Sequence, residues 1–219
     1  MKYPNGRILV FCKAPQAGKV KTRLAKTIGE YAATSVHEYL SQHCLKRFVQ
    51  FNIAPVELWC APNTDHDFFQ QCHDTLGVTL KEQVGDDLGE RMSYALNKAL
   101  QHHFPVILVG TDCPGITSNY LLSAFSEVMQ NKTVIGPAED GGYVLLGTKR
   151  IQHDIFLDMP WGSSRVCRET ILRLTGEVKE LPLLWDVDHV GDLRRLRDSA
   201  DQLQLAPEFT DYLQKLELS

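Results

Sequence analysis

The stretch RILVFCKAPQAGKVKTRLA, residues 7–25, changes character twice. An apolar run ends at Cys12, a loop with one glycine, Gly18, gathers Lys13, Lys19, Lys21 and Arg23, and a long helical pattern opens at Thr22. Strand, loop and helix in that order are the start of a crossover unit. Working outward, the same alternation recurs along the chain. The pattern predicts strands over Ile8 to Cys12, Val56 to Cys60, Val78 to Gln83, Val106 to Gly110, Val134 to Pro137, Tyr143 to Gly147 and Val178 to Leu184. Between them it predicts helices over Thr22 to Val49, Asp65 to Thr75, Leu88 to Gln101, Asn119 to Gln130, Ser164 to Thr175 and Val190 to Ser199, with a terminal helix in the last dozen residues. This is an α/β pattern around a mostly parallel sheet. Tyr143 to Gly147 follows a Gly-Gly turn too closely for a helical crossover, which predicts one antiparallel pair.

At 219 residues, with no repeat, low-complexity stretch or linker, the chain fits one domain over 1–219. Acids outnumber bases, 27 to 23, for a net charge of -4. That balance argues against a nucleic-acid or anionic-membrane binder, which needs clustered excess positive charge. The basic loop at 13 to 23 is thus a local exception that calls for a local partner. The six cysteines form no C-x-x-C pair and several sit inside apolar runs, as expected of reduced, buried thiols in a cytoplasmic protein. The first apolar run is too short for a signal peptide, and no stretch approaches the roughly 20 apolar residues of a membrane span.

In sheets of this class, ligands bind outside the carboxyl ends of the strands. The first strand end carries the basic loop, and a glycine loop running into a helix favours phosphate through free N–H groups and the helix dipole. It is not a Walker A loop, because the position that pattern requires to be glycine is Lys13. The alternative is a solvated helix start, although basic residues there oppose the dipole. The fourth strand ends in VILVGTDCPG, where Asp112 emerges straight from an apolar run and is expensive unless it meets solvent, a metal or a donor. The fifth ends in GPAEDGGYVLLG, with Glu139 and Asp140 before two glycines, a pattern shared by ligand sites and polar hairpin tips. A third acidic group, LLWDVDHVGDL, places Asp186 and Asp188 two apart, on one face if extended. Read locally instead, Asp188 is a helix N-cap and Asp192 a first-turn acid. Carboxylates at three strand ends opposite one basic loop suit Mg²⁺ bridged to phosphates. In EQVGDDLGERM, Gln83 and Arg91 are candidate nucleobase or phosphate contacts, with helix capping as the competing explanation. In MPWGSSRV, Trp161 is a candidate sugar or acceptor platform, or a packed core residue.

Taken together, KAPQAGKVKTRLA, QVGDDLGERM, GTDCPG, GPAEDGGYVLLG, WGSSRV and DVDHVGDL resemble, in order and over nearly the whole chain, a bacterial family of GT-A-fold glycosyltransferase-like proteins of the radical SAM/selenodomain-associated type. The layout is also similar to that of 2-phospholactate guanylyltransferases. The resemblance implies a three-layer α/β/α fold of the nucleotide-diphospho-sugar transferase type. It implies that Lys13, Lys21 and Arg23 contact the nucleotide phosphates, with Gly18, Gln83 and Arg91 added as nucleotide-binding candidates from the reading of their own loops. Asp112 would be a metal ligand, standing where GT-A enzymes carry D-x-D. The sequence reads Asp-Cys-Pro there, so a second ligand comes from elsewhere, with Asp188 and Glu139 the candidates and Asp140 a close rival.

The implied chemistry is transfer from a nucleotide-diphosphate sugar to an unknown small-molecule acceptor, with Mg²⁺ or Mn²⁺ as cofactor. Lys21 and Arg23 would stabilise the leaving diphosphate, and Asp140 would be the base. Two alternatives use the same residues. One is nucleotidyl transfer from a nucleoside triphosphate to a phosphorylated small molecule, and the other is a nucleotide-binding domain without catalysis.

Overall fold

The structure, a computed structural model, describes residues 1–150 and 153–218. Its seven strands are β1 (Arg7–Lys13), β2 (Val56–Ala61), β3 (Thr79–Glu82), β4 (Val106–Gly110), β5 (Thr133–Pro137), β6 (Tyr143–Thr148) and β7 (Val178–Glu180). They form one sheet in the order β3-β2-β1-β4-β6-β5-β7. The expected antiparallel pair is β5–β6, and β6 also runs antiparallel to β4; every other neighbour pair is parallel. The strand order reverses between β1 and β4, so the carboxyl ends of these two strands flank the crevice where such sheets bind ligands.

Alternation along β1 and β4 divides the interior. Ile8, Val10, Cys12, Ile107 and Val109 face one layer, where α2 (Glu30–Gln50), α3 (Asp67–Leu76) and α5 (Ser118–Met129) pack. Leu9, Val106 and Leu108 face the other, under α4 (Leu88–Leu100) and a 3-10 turn, His153–Phe156. Three further helices, α7 (Val190–Asp198), α8 (Ala200–Leu203) and α9 (Pro207–Lys215), close over the outer side of α2, while α6 (Val166–Arg173) follows the Trp161 loop. Helix α2 is therefore buried from both sides, with Cys44, Leu45 and Phe48 toward the sheet and Ala33, Val36 and Leu40 toward the terminal helices.

Two expected elements come out differently. The helix predicted over Thr22 to Val49 is two, α1 (Thr22–Ile28) and α2, because Gly29 breaks it at φ 84°, ψ 159°, a conformation open to glycine and little else. The strand predicted over Val178 to Leu184 stops at Glu180 and resumes as a single bridge between Ala138 and Leu184, with Pro182 in between removing a ladder donor. All six cysteines are buried and unpaired, and burial pushes the Cys12 thiol up to about 12, which keeps it protonated and unreactive. Among the described residues no helix is long and apolar enough to cross a membrane.

Candidate active site

A cleft of about 450 Å³ opens at the carboxyl ends of β1 and β4. Of the residues singled out from sequence, it is lined by Lys13, Lys21, Arg23, Gln83, Asp112, Asp140 and Asp188, joined by Asp186 and Trp161. Gly18, Arg91 and Glu139 are not part of its wall. Gly18 turns the loop at φ +74°, its α-carbon facing the Glu30 carboxylate. Arg91 donates through Nε to the Gly85 carbonyl at 2.8 Å and holds the turn before α4, whose N-terminus is capped by Asp87 and Glu90. Glu139 leans out to Arg195, 2.9 Å away, which in turn covers the Trp185 ring.

The adjacent acids take different partners, and just after them Gly141 bends the chain into β6. Its φ is +87°, and a Cβ there would sit 2.1 Å from the Ser164 carbonyl oxygen, so only glycine fits against the Trp161 loop. Asp140 accepts the Gly142 N–H at 2.7 Å, which fixes its carboxylate on the cleft wall.

Asp112 leaves β4 half exposed, with its Oδ1 buried. The segment carrying Asp186 and Asp188 is laid beside it by a backbone bond, Val187 N–H donating to the Asp112 carbonyl at 3.0 Å. Val187 itself is fully buried among Leu24, Val36 and Leu193, so the terminal helices press this segment into place. Read locally, Asp188 is a helix N-cap. The structure assigns the capping position to His189, and the Asp192 carboxylate accepts the N–H groups of both Asp188 and His189, at 3.0 and 2.7 Å. The Asp188 side chain is thereby left for the cleft, and His189 lies outside its wall.

The basic loop meets this acidic wall directly. Lys21 is buried, its side chain 2% exposed, and its ammonium stands 2.6 Å from Asp112 Oδ1 and 3.6 Å from Asp188 Oδ1 while donating to the Val187 carbonyl at 2.6 Å. Arg23 donates to Asp188 Oδ2 at 3.0 Å and to the Gly162 carbonyl at 3.3 Å. Lys13 and Lys19 are exposed on the cleft wall, with no carboxylate in ion-pair distance among the described residues. These two, rather than Lys21, are the loop's uncommitted cations. Gln83 gives its amide N–H to the Trp59 carbonyl at 2.8 Å and the Cys12 carbonyl at 3.3 Å, so only its oxygen is left for a ligand.

The electrostatics of the carboxyls follow from these neighbours. Burial pushes Asp112 up, but Lys21 overrides it and, with His37 and Lys13, holds the carboxyl below the usual range. Asp186 has no such cation; burial first, then the charges of Asp140, Asp188 and Asp112, push it up to about 6. His37, buried in α2, was not legible from sequence, since a histidine inside a helix carries no motif. Its Nε2–H donates to the Lys13 carbonyl at 2.8 Å and its Nδ1 faces Asp112 Oδ1 at 4.0 Å. Burial lowers its pKa despite the facing carboxylate, which favours the neutral ring, and in that form the one N–H holds the end of β1 and none is left for Asp112.

The donors suit a hard divalent cation, since they are carboxylate oxygens with no thiolate among them. Asp112 Oδ1 is buried, and Lys21, 2.6 Å away, is the cation nearest to it. No three His, Cys, Asp or Glu side chains among the described residues converge into a ready-made cage. Mg²⁺ generally takes one or two carboxylates and completes its shell with water and substrate phosphates. The opposite wall is apolar, with Leu88, Met92, Tyr143 and Trp161; the Trp161 ring packs by Phe156 at 6.3 Å, and its indole N–H is buried without a partner.

A family model described as "Uncharacterized protein conserved in bacteria (DUF2064)" matches residues 44–163, more than half of the chain. The chain belongs to the DUF2064 family. This DUF2064 protein is similar in structure to a candidate nucleotide-diphospho-sugar transferase from Desulfovibrio desulfuricans G20, with 29% identity, a TM-score of 0.83, and 97% of this chain and 98% of that one covered. It is more distantly similar to a cytidylyltransferase from Leptospira borgpetersenii serovar Hardjo-bovis, at 13% identity, TM-score 0.60 and 98% and 99% coverage. Rv0371c from Mycobacterium tuberculosis H37Rv, in complex with manganese, matches at 14% identity and TM-score 0.53, over 89% of this chain and 99% of that one. No curated protein matches the DUF2064 chain. The fold is α/β, of the nucleotide-diphospho-sugar transferase (GT-A) type, as the sequence blocks implied.

Proposed function

We propose that the protein is a divalent-cation-dependent transferase acting on an activated nucleotide, and that the group transferred is a sugar from a nucleotide diphosphate. One observation carries the reading. Four aspartates, Asp112, Asp140, Asp186 and Asp188, line the same cleft as the Lys13 to Arg23 loop, at the strand-order switch of the sheet. The similarity to the Desulfovibrio protein, a candidate nucleotide-diphospho-sugar transferase, supports the same reading.

In this reading Asp112 and Asp188 would hold the cation, with Asp186 beside them, and Glu139 would have no part because it is turned to Arg195. The cation, when bound, neutralises charge building on the leaving diphosphate. Lys13 and Lys19 are free to grip the phosphates, and Arg23, anchored between Asp188 and Gly162, closes over them. Trp161 and Tyr143 form a wall against which a sugar or acceptor ring rests and water is kept out. Asp140, on the cleft wall, takes the proton of the acceptor hydroxyl.

A specific observation favours the second reading, nucleotidyl transfer. Asp140 already spends one oxygen on the Gly142 N–H, which weakens it as a base, and a phosphate nucleophile needs none. The test is to follow thermal stabilisation and turnover with Mg²⁺ or Mn²⁺ against a panel of nucleotide sugars and nucleoside triphosphates, in wild type and Asp112→Ala. Stabilisation and transfer with a nucleotide sugar, lost in the variant, is the expected result. Turnover with a triphosphate and release of pyrophosphate moves the assignment to nucleotidyl transfer, and metal-independent binding that survives Asp112→Ala refutes both.

A further inference from the structure

Lys21 is placed as a bound cation would be. Its ammonium touches oxygens from three separate groups: Asp112 Oδ1 at 2.6 Å, the Val187 carbonyl at 2.6 Å and Asp188 Oδ1 at 3.6 Å. Those are two of the carboxylates that a divalent ion would need. A dication and an ammonium cannot share them closely, because like charges a few ångströms apart repel strongly in a cleft with low-dielectric walls.

The loop holding Lys21 in this position is strained. Its backbone is left-handed, φ 46° and ψ 41°, a region that long L side chains seldom occupy, and its side chain does not cap α1. Such strain persists where surrounding contacts overdetermine it, and here the contacts are the three oxygens. The contact with Asp112, at 2.6 Å, is an ion pair between an ammonium and a carboxylate, and a divalent cation carries twice the charge to the same oxygen.

We infer that Lys21 is the resident counter-ion of Asp112, and that a divalent cation gains the place between Asp112 Oδ1 and Asp188 Oδ1 only by displacing it, while Arg23 keeps the other Asp188 oxygen at 3.0 Å. The displaced ammonium then lacks an anion until a phosphate arrives. Cation and nucleotide therefore bind as a pair, each raising the affinity of the other by the same factor. This rests on the cleft being a metal and nucleotide site, and makes Lys21 a positioning residue that couples the two ligands.

The experiment titrates MnCl₂ alone into wild type and Lys21→Met, reading free Mn²⁺ by electron paramagnetic resonance. Lys21→Met is expected to bind Mn²⁺ at least tenfold more tightly than wild type. Equal affinities, both abolished by Asp112→Ala, overturn the exchange while leaving the metal site standing. No binding to either protein, with or without added UDP, CDP or GDP, overturns the metal reading along with it. A second measurement needs no variant: reductive methylation of wild type, read by mass spectrometry. Lys21 is expected to be protected in EDTA and to react several-fold faster in Mg²⁺ at concentrations that saturate the site. Unchanged protection at such concentrations overturns the proposal.

Discussion

Asp112 and Asp186 line one cleft, yet their carboxyls are driven in opposite directions. Asp112 is held below the usual range by Lys21, whereas Asp186, among three other aspartates, is pushed up to about 6. Both emerge from apolar runs at the sheet rim, and nothing in their flanking residues separates them. The difference is the presence of a buried ammonium beside one and not the other. It teaches that the charge available to a ligand is the part the fold leaves unanswered, and here that part surrounds Asp186.

The largest effect expected from breaking this contrast is on Lys21. Lys21→Met removes a buried cation and leaves Asp112 Oδ1 facing no charge, so the metal-free protein should lose about 3 kcal/mol, measured by urea unfolding. A loss under about 0.5 kcal/mol would mean that the pair does not hold the loop.

Asp186→Asn should act with the opposite sign, gaining about 2 kcal/mol at pH 7.5 in EDTA by removing a charge its surroundings disfavour. The native carboxyl titrates above the unfolded one, so between roughly pH 4 and 6 the native state binds more protons and wild-type stability falls as pH rises. The variant's advantage should therefore be full above pH 6 and vanish below about pH 4. An advantage independent of pH would attribute it to packing instead. The same substitution should weaken Mn²⁺ binding in the presence of nucleotide about tenfold, because the disfavoured charge is the one a cation would relieve.

The smallest effect sharpens the boundary of the site. Glu139→Gln breaks an exposed pair with Arg195 and should cost under about 1 kcal/mol, with metal and nucleotide affinity unchanged. A fall in Mn²⁺ affinity would return Glu139 to the acidic wall.

Much of the fold was legible because strand and helix patterns are written in short windows. Strand β4 has the predicted limits, β2 runs one residue further at its end, and β1 one residue further at both. The misses have local causes that pattern alone underweights. Gly29 splits a helix whose apolar period continues across it, and Pro182 interrupts a run otherwise apolar enough to be strand. The candidate site was legible as residue types at strand ends and less so as contacts. Glu139 and Asp140 are adjacent, and only the folded chain tells them apart, by giving Glu139 to Arg195 and folding Asp140 back onto the Gly142 N–H. His37 was invisible because what it meets, the Lys13 carbonyl and the Asp112 carboxylate 4.0 Å away, comes from the ends of β1 and β4.

By itself the sequence determined an α/β chain with basic residues at its first strand end and acids at three later ones, since side-chain class and periodicity are local properties. Only the tertiary structure decided which charges answer each other. Lys21 and Val187 are 166 residues apart, and their bond exists because Val187 is buried against α1, α2 and the terminal helices. Electrostatic pairing depends on distance and burial, which come into being only when the chain has closed on itself.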